Sequence, residues 1–254
     1  IWNSTWVGLK HFINFFESYQ FTRVIGNTLI LSLYSLVVNT VIPIGFALLF
    51  NCVERPRFKK VVQTNVTLPH FISVVVLVGI IMQIFNSRTG LYGIILEAIT
   101  GSYPSDIFAK AGNFRHIYVW SGAWQHFGWS AIIYIAALSG VDLNLHEAAR
   151  IDGASRLQRV RYVDFPHIKS TIILLLIMDM GRIMSVGFEK LFLLQNDLNR
   201  SASELISTYV YQVGLAQSNY SYATAIGLFN SVINLILILA ANKLSQRVSD
   251  TSLW

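Results

Sequence analysis

One charged segment interrupts an apolar chain and carries the residues best suited to bind a partner. It covers residues 146–168 and reads HEAARIDGASRLQRVRYVDFPHI. Upstream, Asn144 has Glu147 three positions later, which is the spacing of a capping box at a helix start. Gly153 suits the left-handed end of that helix, and Ser155 with Gln158 repeats the box spacing. We therefore predict two helices joined by a glycine turn, the second ending before Pro166.

Small side chains indicate what this segment could contact. Ala148, Ala149 and Ala154 leave little bulk between the backbone and a neighbour, which suits insertion into the cleft of a partner protein. The alternative is an amphipathic segment lying on anionic lipid at the membrane surface. The residues by themselves leave both interpretations open.

The remainder of the chain predicts membrane-spanning helices. It is 54% hydrophobic and 13% charged, whereas an average soluble domain is about 25% charged. Long charge-free stretches exceed the 20 or so apolar residues that cross a bilayer. They are too long and continuous for barrel strands, so we predict an all-α, polytopic membrane helix bundle. The five predicted spans are 27–50, 66–86, 116–139, 169–192 and 221–242.

The distribution of Lys and Arg gives the orientation of these spans. Loop 51–65, the charged segment and the C-terminal end alternate so that they share one side, and they hold the larger number of basic residues. Cytoplasmic loops collect such residues, so this side is predicted to be cytoplasmic. Ile1 then lies outside, and we expect a sixth span upstream of it. The expected organisation is an outer interfacial segment, 1–23, a transmembrane domain, 24–246, with a cytoplasmic loop, 142–168, and a cytoplasmic tail, 247–254.

Charged residues inside the fourth predicted span are candidates for a solute pathway. A charge near a helix centre is costly in lipid, and such residues usually face a cavity or the bundle interior. On one continuous helix they would form a stripe, consisting of Asp179, Arg182, Ser185 and Glu189. The alternative is a buried ion pair that only stabilises the helix packing.

A second candidate group lies in the third predicted span. Trp124 could stack on a ring of a solute, and Gln125 and His126 could bond to its hydroxyl groups. Trp is also common at membrane interfaces, which is the competing explanation.

An intramembrane hydrolase that uses Ser185 is a further alternative, although no nucleotide-binding P-loop, HExxH or GxSxG motif is present. The single cysteine, Cys52, excludes a disulfide within the chain.

The charged segment resembles the EAA loop of permease subunits of binding-protein-dependent ABC importers. That pattern is Glu-Ala-Ala-x-x-Asp-Gly-Ala followed by Ile-x-Leu-Pro. Val163 and Phe165 stand where Ile and Leu are usual, and the layout is similar over about 24–246. The matching residues are Glu147, Ala148, Ala149, Asp152, Gly153, Ala154 and Pro166.

This resemblance implies a transport subunit of the bacterial inner membrane with the type I importer fold. It implies a second permease subunit, two ATP-binding subunits and an extracytoplasmic solute-binding protein as partners. ATP and Mg²⁺ would bind to the ATPase, with no cofactor on this chain and no nucleic-acid partner. The residues expected to dock the ATPase are Glu147, Ala148, Ala149, Arg150, Asp152, Gly153, Ala154 and Arg156.

Two weaker similarities indicate the solute. The stretches WVGLKHF (6–12) and GFEKLFLLQN (187–196) resemble sugar-importer permeases, in particular the branch that takes oligosaccharides, such as alginate importers. This implies import of a sugar or oligosaccharide. The alternative is a non-sugar solute carried by a permease of the same class.

Overall fold

The computed structural model describes the backbone of residues 6–248 and the side chains of residues 6–246. Most of the predicted tail, 247–254, and the first five residues of the predicted outer segment lie outside this part. Within residues 6–248 the chain is helical, without β-strands. The helices are α1 Lys10–Glu17, α2 Tyr19–Asn51, α3 Pro56–Thr67, α4 Val74–Ile84, α5 Leu91–Thr100, α6 Ala111–Leu138, α7 Leu143–Ile151, α8 Arg156–Arg159, α9 Phe165–Met180, α10 Phe188–Leu194, α11 Arg200–Ser203, α12 Ile206–Tyr211 and α13 Tyr220–Val248.

Three long helices confirm the helical membrane fold and correspond to predicted spans. The first, third and fifth predicted spans coincide with α2, α6 and α13, which have 33, 28 and 29 residues. By length and apolar composition, α2 and α13 can each cross a bilayer, and two bent helix pairs bring the total in the described residues to as many as four. The total of five remains a prediction.

The second predicted span, 66–86, is wrong as a single helix. The helix α3 ends at Thr67, a 3-10 turn covers Leu68–Phe71, and α4 begins at Val74. Pro69 lies in that turn and has no N–H to offer a continuing helix. The Ser73 hydroxyl then accepts from the amide of Val76 at 3.3 Å and starts α4 afresh. With 11 residues, α4 is too short to cross a bilayer by itself.

The fourth predicted span, 169–192, is likewise wrong as a single helix. The helix α9 ends at Met180, and residues 181–187 form a turn and an irregular stretch before α10 begins at Phe188. The Asn234 side chain holds this stretch, since its Oδ1 accepts from the Met184 amide and its Nδ2 donates to Ser185 Oγ, each at 3.0 Å. A side chain from α13 thus replaces bonds that a continuous helix would have made within its own backbone.

The chain divides into two compact units. In the first, composed of Ile1–Leu33, Ser73–Val119 and Arg182–Ile236, the buried Phe15 of α1 packs edge-on against Phe21 and Phe229. The described part of the predicted outer segment, residues 6–23, therefore includes one core residue, while Trp6 is 95% exposed. The predicted boundary after residue 23 falls inside α2.

The second unit is composed of Tyr34–Ile72, Trp120–Gly181 and Leu237–Trp254, and it contains the charged segment. Its hydrophobic core lies where α2 and α6 end and α9 begins. This core anchors both ends of the charged segment. It consists of Ala47, Ala131, Tyr134, Leu138, Val141 and Ile168.

Candidate functional site

The helix α7 is capped by Asp142 rather than by Asn144. The Asp142 carboxylate accepts from the Asn144 amide at 2.9 Å, and α7 runs from Leu143 to Ile151. The predicted cap at Asn144 is wrong because Asp142 offers the same chemistry two positions earlier. Asp142 follows Val141, which the core buries, so the helix start is fixed beside the core. The axis of α7 makes an angle of 77° with that of α6.

Gly153 forms the predicted left-handed turn at the end of α7. Its φ is +75°, the Ala154 amide donates to the Ala149 carbonyl at 2.9 Å, and the Gly153 amide donates to the Arg150 carbonyl at 3.1 Å. These two bonds make the Schellman arrangement that closes many helices. A Cβ at Gly153 would meet no atom within 4 Å, so the backbone conformation, and not the available space, favours glycine.

The second predicted cap is confirmed. Ser155 Oγ accepts from the Gln158 amide at 3.4 Å, and Gln158 Oε1 accepts from the Ser155 amide at 2.7 Å. The predicted end before Pro166 is wrong, because α8 continues through a π-helical turn, Val160–Asp164, into α9. The wider turn routes the Phe165 amide to the Val160 carbonyl, and Pro166 then occupies the first turn of α9, where a missing N–H is tolerated.

The predicted docking residues form an open surface on the described chain. Ala149 and Ala154 are partly buried, and the remaining predicted docking residues are exposed. The Glu147 carboxylate makes no ion pair with any described residue, whereas Arg156 lies 3.2 Å from Glu54. The helix before the glycine turn therefore presents the small side chain of Ala148 and the free carboxylate of Glu147 to solvent.

Sequence reasoning missed three large apolar side chains on the same surface. Leu143, Ile151 and Leu157 are 74%, 87% and 77% exposed, respectively. Single exposed apolar side chains are common on protein surfaces, so these three indicate a contact surface only together with the resemblance of the segment to the EAA loop. The position of Ile151 and Leu157 inside the charged segment, and of Leu143 just before it, was the available signal, but the same pattern fits an amphipathic helix on lipid.

A buried carboxylate ties the charged segment to the end of α2. Asp164 is 2% exposed, its Oδ1 lies 3.1 Å from His146 Nε2, and Asn51 Nδ2 donates to the same oxygen at 3.2 Å. We call Asn51, His146 and Asp164 the loop bracket. Burial, together with the negative charge of Asp164, raises the pKa of the neighbouring Cys52 thiol.

The three residues predicted to form a site in the third span have different environments and different partners. Gln125 is buried, and its Nε2 donates to the Ile72 carbonyl at 2.8 Å, so it supports the chain break before α4. Trp124 is half exposed. His126 Nδ1 lies 3.0 Å from His70 Nδ1, and the His70 ring stacks on Trp129 with 4.5 Å between centroids.

The predicted stripe in the fourth span loses its helical geometry. Asp179 lies in the last turn of α9, Arg182 in the following turn, Ser185 in the irregular stretch and Glu189 in the first turn of α10. All four side chains are exposed on the chain. Their helical spacing therefore does not place them on one helix face.

Comparison with known proteins identifies the class. Residues 42–250 match the family described as "Binding-protein-dependent transport system inner membrane component". The match covers most of the chain, so the chain belongs to this family. It is a permease subunit of an ABC importer in the inner membrane, a transport component and not an enzyme. Its partners are a second permease, ATPase subunits and a solute-binding protein.

Particular relatives align over the full chain. Protein LplB of Bacillus subtilis (strain 168) is 39% identical over 253 residues, which is all of this chain and 79% of LplB. The polygalacturonan/rhamnogalacturonan transport system permease protein YteP of the same organism is 39% identical over 254 residues, again all of this chain and 79% of the relative. The crystal structure of a bacterial ABC transporter involved in the import of the acidic polysaccharide alginate contains a chain with a TM-score of 0.93 and 38% identity. That match covers 98% of this chain and 86% of the other.

Proposed function

We propose that this permease imports an acidic oligosaccharide and that the charged segment docks the ATPase subunits that drive import. The solute class is supported by two similar proteins, since YteP is named for polygalacturonan and rhamnogalacturonan and the matching crystal structure is of an alginate importer. Uronate units carry carboxylates, so a permease for them needs cationic or hydrogen-bonding groups along its path.

The docking proposal rests chiefly on the exposed Schellman turn at Gly153. On the helix before the turn, Glu147 and Ile151 lie four positions apart and share one face, the first with a free carboxylate and the second with a side chain that is 87% exposed. A groove in the ATPase would cover the apolar side chain and supply a cation for the carboxylate. Alanines at positions 148 and 149 allow close approach of the two backbones. ATP and Mg²⁺ would bind to the partner ATPase, and this chain contributes the surface that moves with it.

Arg182 is the strongest candidate for contact with an acidic solute. It lies exposed in the turn after α9, and its planar guanidinium can meet a carboxylate with two parallel hydrogen bonds. Asp179, Ser185 and Glu189, together with Trp124 and His126, are candidates for hydroxyl contacts and ring stacking. Gln125 is the weakest candidate, since its amide is already used by the Ile72 carbonyl.

Uptake by the reconstituted complex in proteoliposomes tests the solute proposal. Acidic and neutral oligosaccharides of equal length would be compared for wild type, Arg182→Gln and Arg182→Lys. Both variants should weaken uptake of the acidic solute more than that of the neutral one, with the glutamine variant more affected. The matched control is Arg88→Gln, an exposed arginine elsewhere in the chain, which should leave uptake unchanged. Equal uptake of acidic and neutral solutes by wild type would refute the proposed solute class.

A further inference from the structure

The loop bracket places a buried charge at the junction of three helical elements. Asp164 lies in the π-helical turn that leads into α9, His146 lies on α7, and Asn51 is the last residue of α2. Both partners converge on the same oxygen, Oδ1, at 3.1 and 3.2 Å. Removing a single partner from a buried carboxylate is strongly destabilising, so these contacts resist being pulled apart.

Without the bracket, α7 would be held mainly by its two ends. At its start the chain bends by 77° from α6 through residues 139–142, and at its end lies the Gly153 turn. Only Val141 of the linking residues 139–142 is buried, so a force on α7 could swing it about these two points. The contact between His146 and Asp164 links the middle of α7 to the π-helical turn before α9. The bond from Asn51 links the same carboxylate to the end of α2.

A second contact joins the charged segment to the residues that follow α2, and it is much weaker. Arg156 lies 3.2 Å from Glu54, but their side chains are 67% and 72% exposed, respectively. Exposed ion pairs of this kind contribute little to stability. The buried carboxylate is therefore the contact that can make α7 move with the membrane helices.

We propose that Asp164 is a positioning residue which, through His146 and Asn51, makes α7 move as one body with α2 and α9, so that movement of a docked ATPase reaches the membrane. The inference rests on the proposed docking of the ATPase to the charged segment. The loop bracket transmits movement, while the surface around Gly153 holds the ATPase. Loss of transmission and loss of docking can therefore be measured separately.

The test uses the complete complex with its binding protein, reconstituted in proteoliposomes. Three quantities are measured for each variant: ATPase subunits retained on purification, ATP hydrolysed, and solute imported. Asp164→Ala should retain the ATPase at the wild-type level and still hydrolyse ATP. Solute imported per ATP should fall about tenfold, the scale set by loss of a charge-assisted hydrogen bond. His146→Ala removes the same contact but leaves Asn51 as a donor to the Asp164 carboxylate, and it carries the test if Asp164→Ala does not fold.

Controls separate transmission from docking. Glu54→Gln breaks only the exposed pair and should leave the ratio of import to hydrolysis unchanged. Cysteines replacing His146 and Asp164, in a chain with Cys52→Ser, should show the low ratio and recover when a short thiol-reactive linker joins them. Retention of the ATPase by Ile151→Glu would show that the docking proposal itself is wrong. An unchanged ratio in both Asp164→Ala and His146→Ala, failure of the linker to restore it, or loss of the ATPase from Asp164→Ala would overturn the inference.

Discussion

The amide of Ala154 donates to the carbonyl of Ala149 at 2.9 Å, across a turn in which Gly153 has a φ of +75°. This bond sets the direction in which the chain leaves α7 and enters α8. The capping box at Ser155 fixes the start of the second helix immediately afterwards. The corner is thus determined by backbone geometry, and side chains on its outer surface are free to contact a partner.

Gly153→Val should disrupt this corner more than Gly153→Ala. A left-handed conformation costs an ordinary residue about 1–2 kcal/mol, and a β-branched side chain tolerates it least. Gly153→Asn is the matched control, since asparagine adopts this conformation most readily among the alternatives. The measurement is the amount of ATPase that copurifies, expected to decrease from glycine through asparagine and alanine to valine. Equal retention in all four proteins would contradict the account.

Asp142→Ala should destabilise α7, whereas Asn144→Ala should not. Loss of a capping side chain costs about 1 kcal/mol, and Asp142 makes the capping bond. Hydrogen exchange of the amides of residues 143–146 measures the effect, and exchange should accelerate severalfold only in the Asp142 variant. Faster exchange in Asn144→Ala alone would contradict capping by Asp142 and would support Asn144 as the cap.

Asn234→Ala should loosen the stretch between α9 and α10. It removes the acceptor for the Met184 amide and the donor to Ser185 Oγ, at about 1 kcal/mol for each bond. Asn230→Ala is the control on the same helix, because the buried Oδ1 of Asn230 has no hydrogen-bond partner among the described residues. Limited proteolysis at 181–187 should become faster in the Asn234 variant only. Equal rates in both would show that the side chain does not hold this stretch.

Cys52 should react slowly with maleimide at neutral pH. Burial raises the pKa of its thiol, so the reactive thiolate forms at higher pH than for an exposed cysteine. The rate–pH curve of Cys52 should lie to the alkaline side of that for Ser105→Cys in a chain with Cys52→Ser. Asp164→Asn should move the Cys52 curve towards lower pH, because it removes a negative charge that raises this pKa. A Cys52 curve at or below the control curve would contradict the expected effect of partial burial on this thiol.

Local chemistry made part of the docking surface predictable from the sequence. Gly153, Ser155 and Gln158 act through bonds to residues at most five positions away, so their spacing is sufficient to predict the turn and the capping box. The predicted cap at Asn144 is wrong because Asp142 provides the capping bond instead. Only the geometry of Val141 and the core beside it decides between the two.

Long-range contacts account for what the sequence could not show. The break after Met180 is held by Asn234, which lies 50 positions from Met184, and no helical spacing reveals that bond. The loop bracket likewise joins Asn51 to Asp164, which lie 113 positions apart in the sequence. The continuation through Pro166 depends on a π-helical turn, which removes the steric and hydrogen-bonding conflict on which the predicted helix end was based.

Photo-crosslinking from position 151 tests the docking of the ATPase most directly. Ile151 is 87% exposed on the charged segment, and Leu198, 72% exposed, lies in a loop predicted to be on the other side of the membrane. A photoreactive amino acid would replace each residue in turn in the assembled complex, followed by illumination with and without ATP. We expect position 151 to crosslink to the ATPase subunit, with a yield that changes on ATP addition, and position 198 not to. A crosslink to the ATPase from position 198, or only to lipid from position 151, would contradict the account.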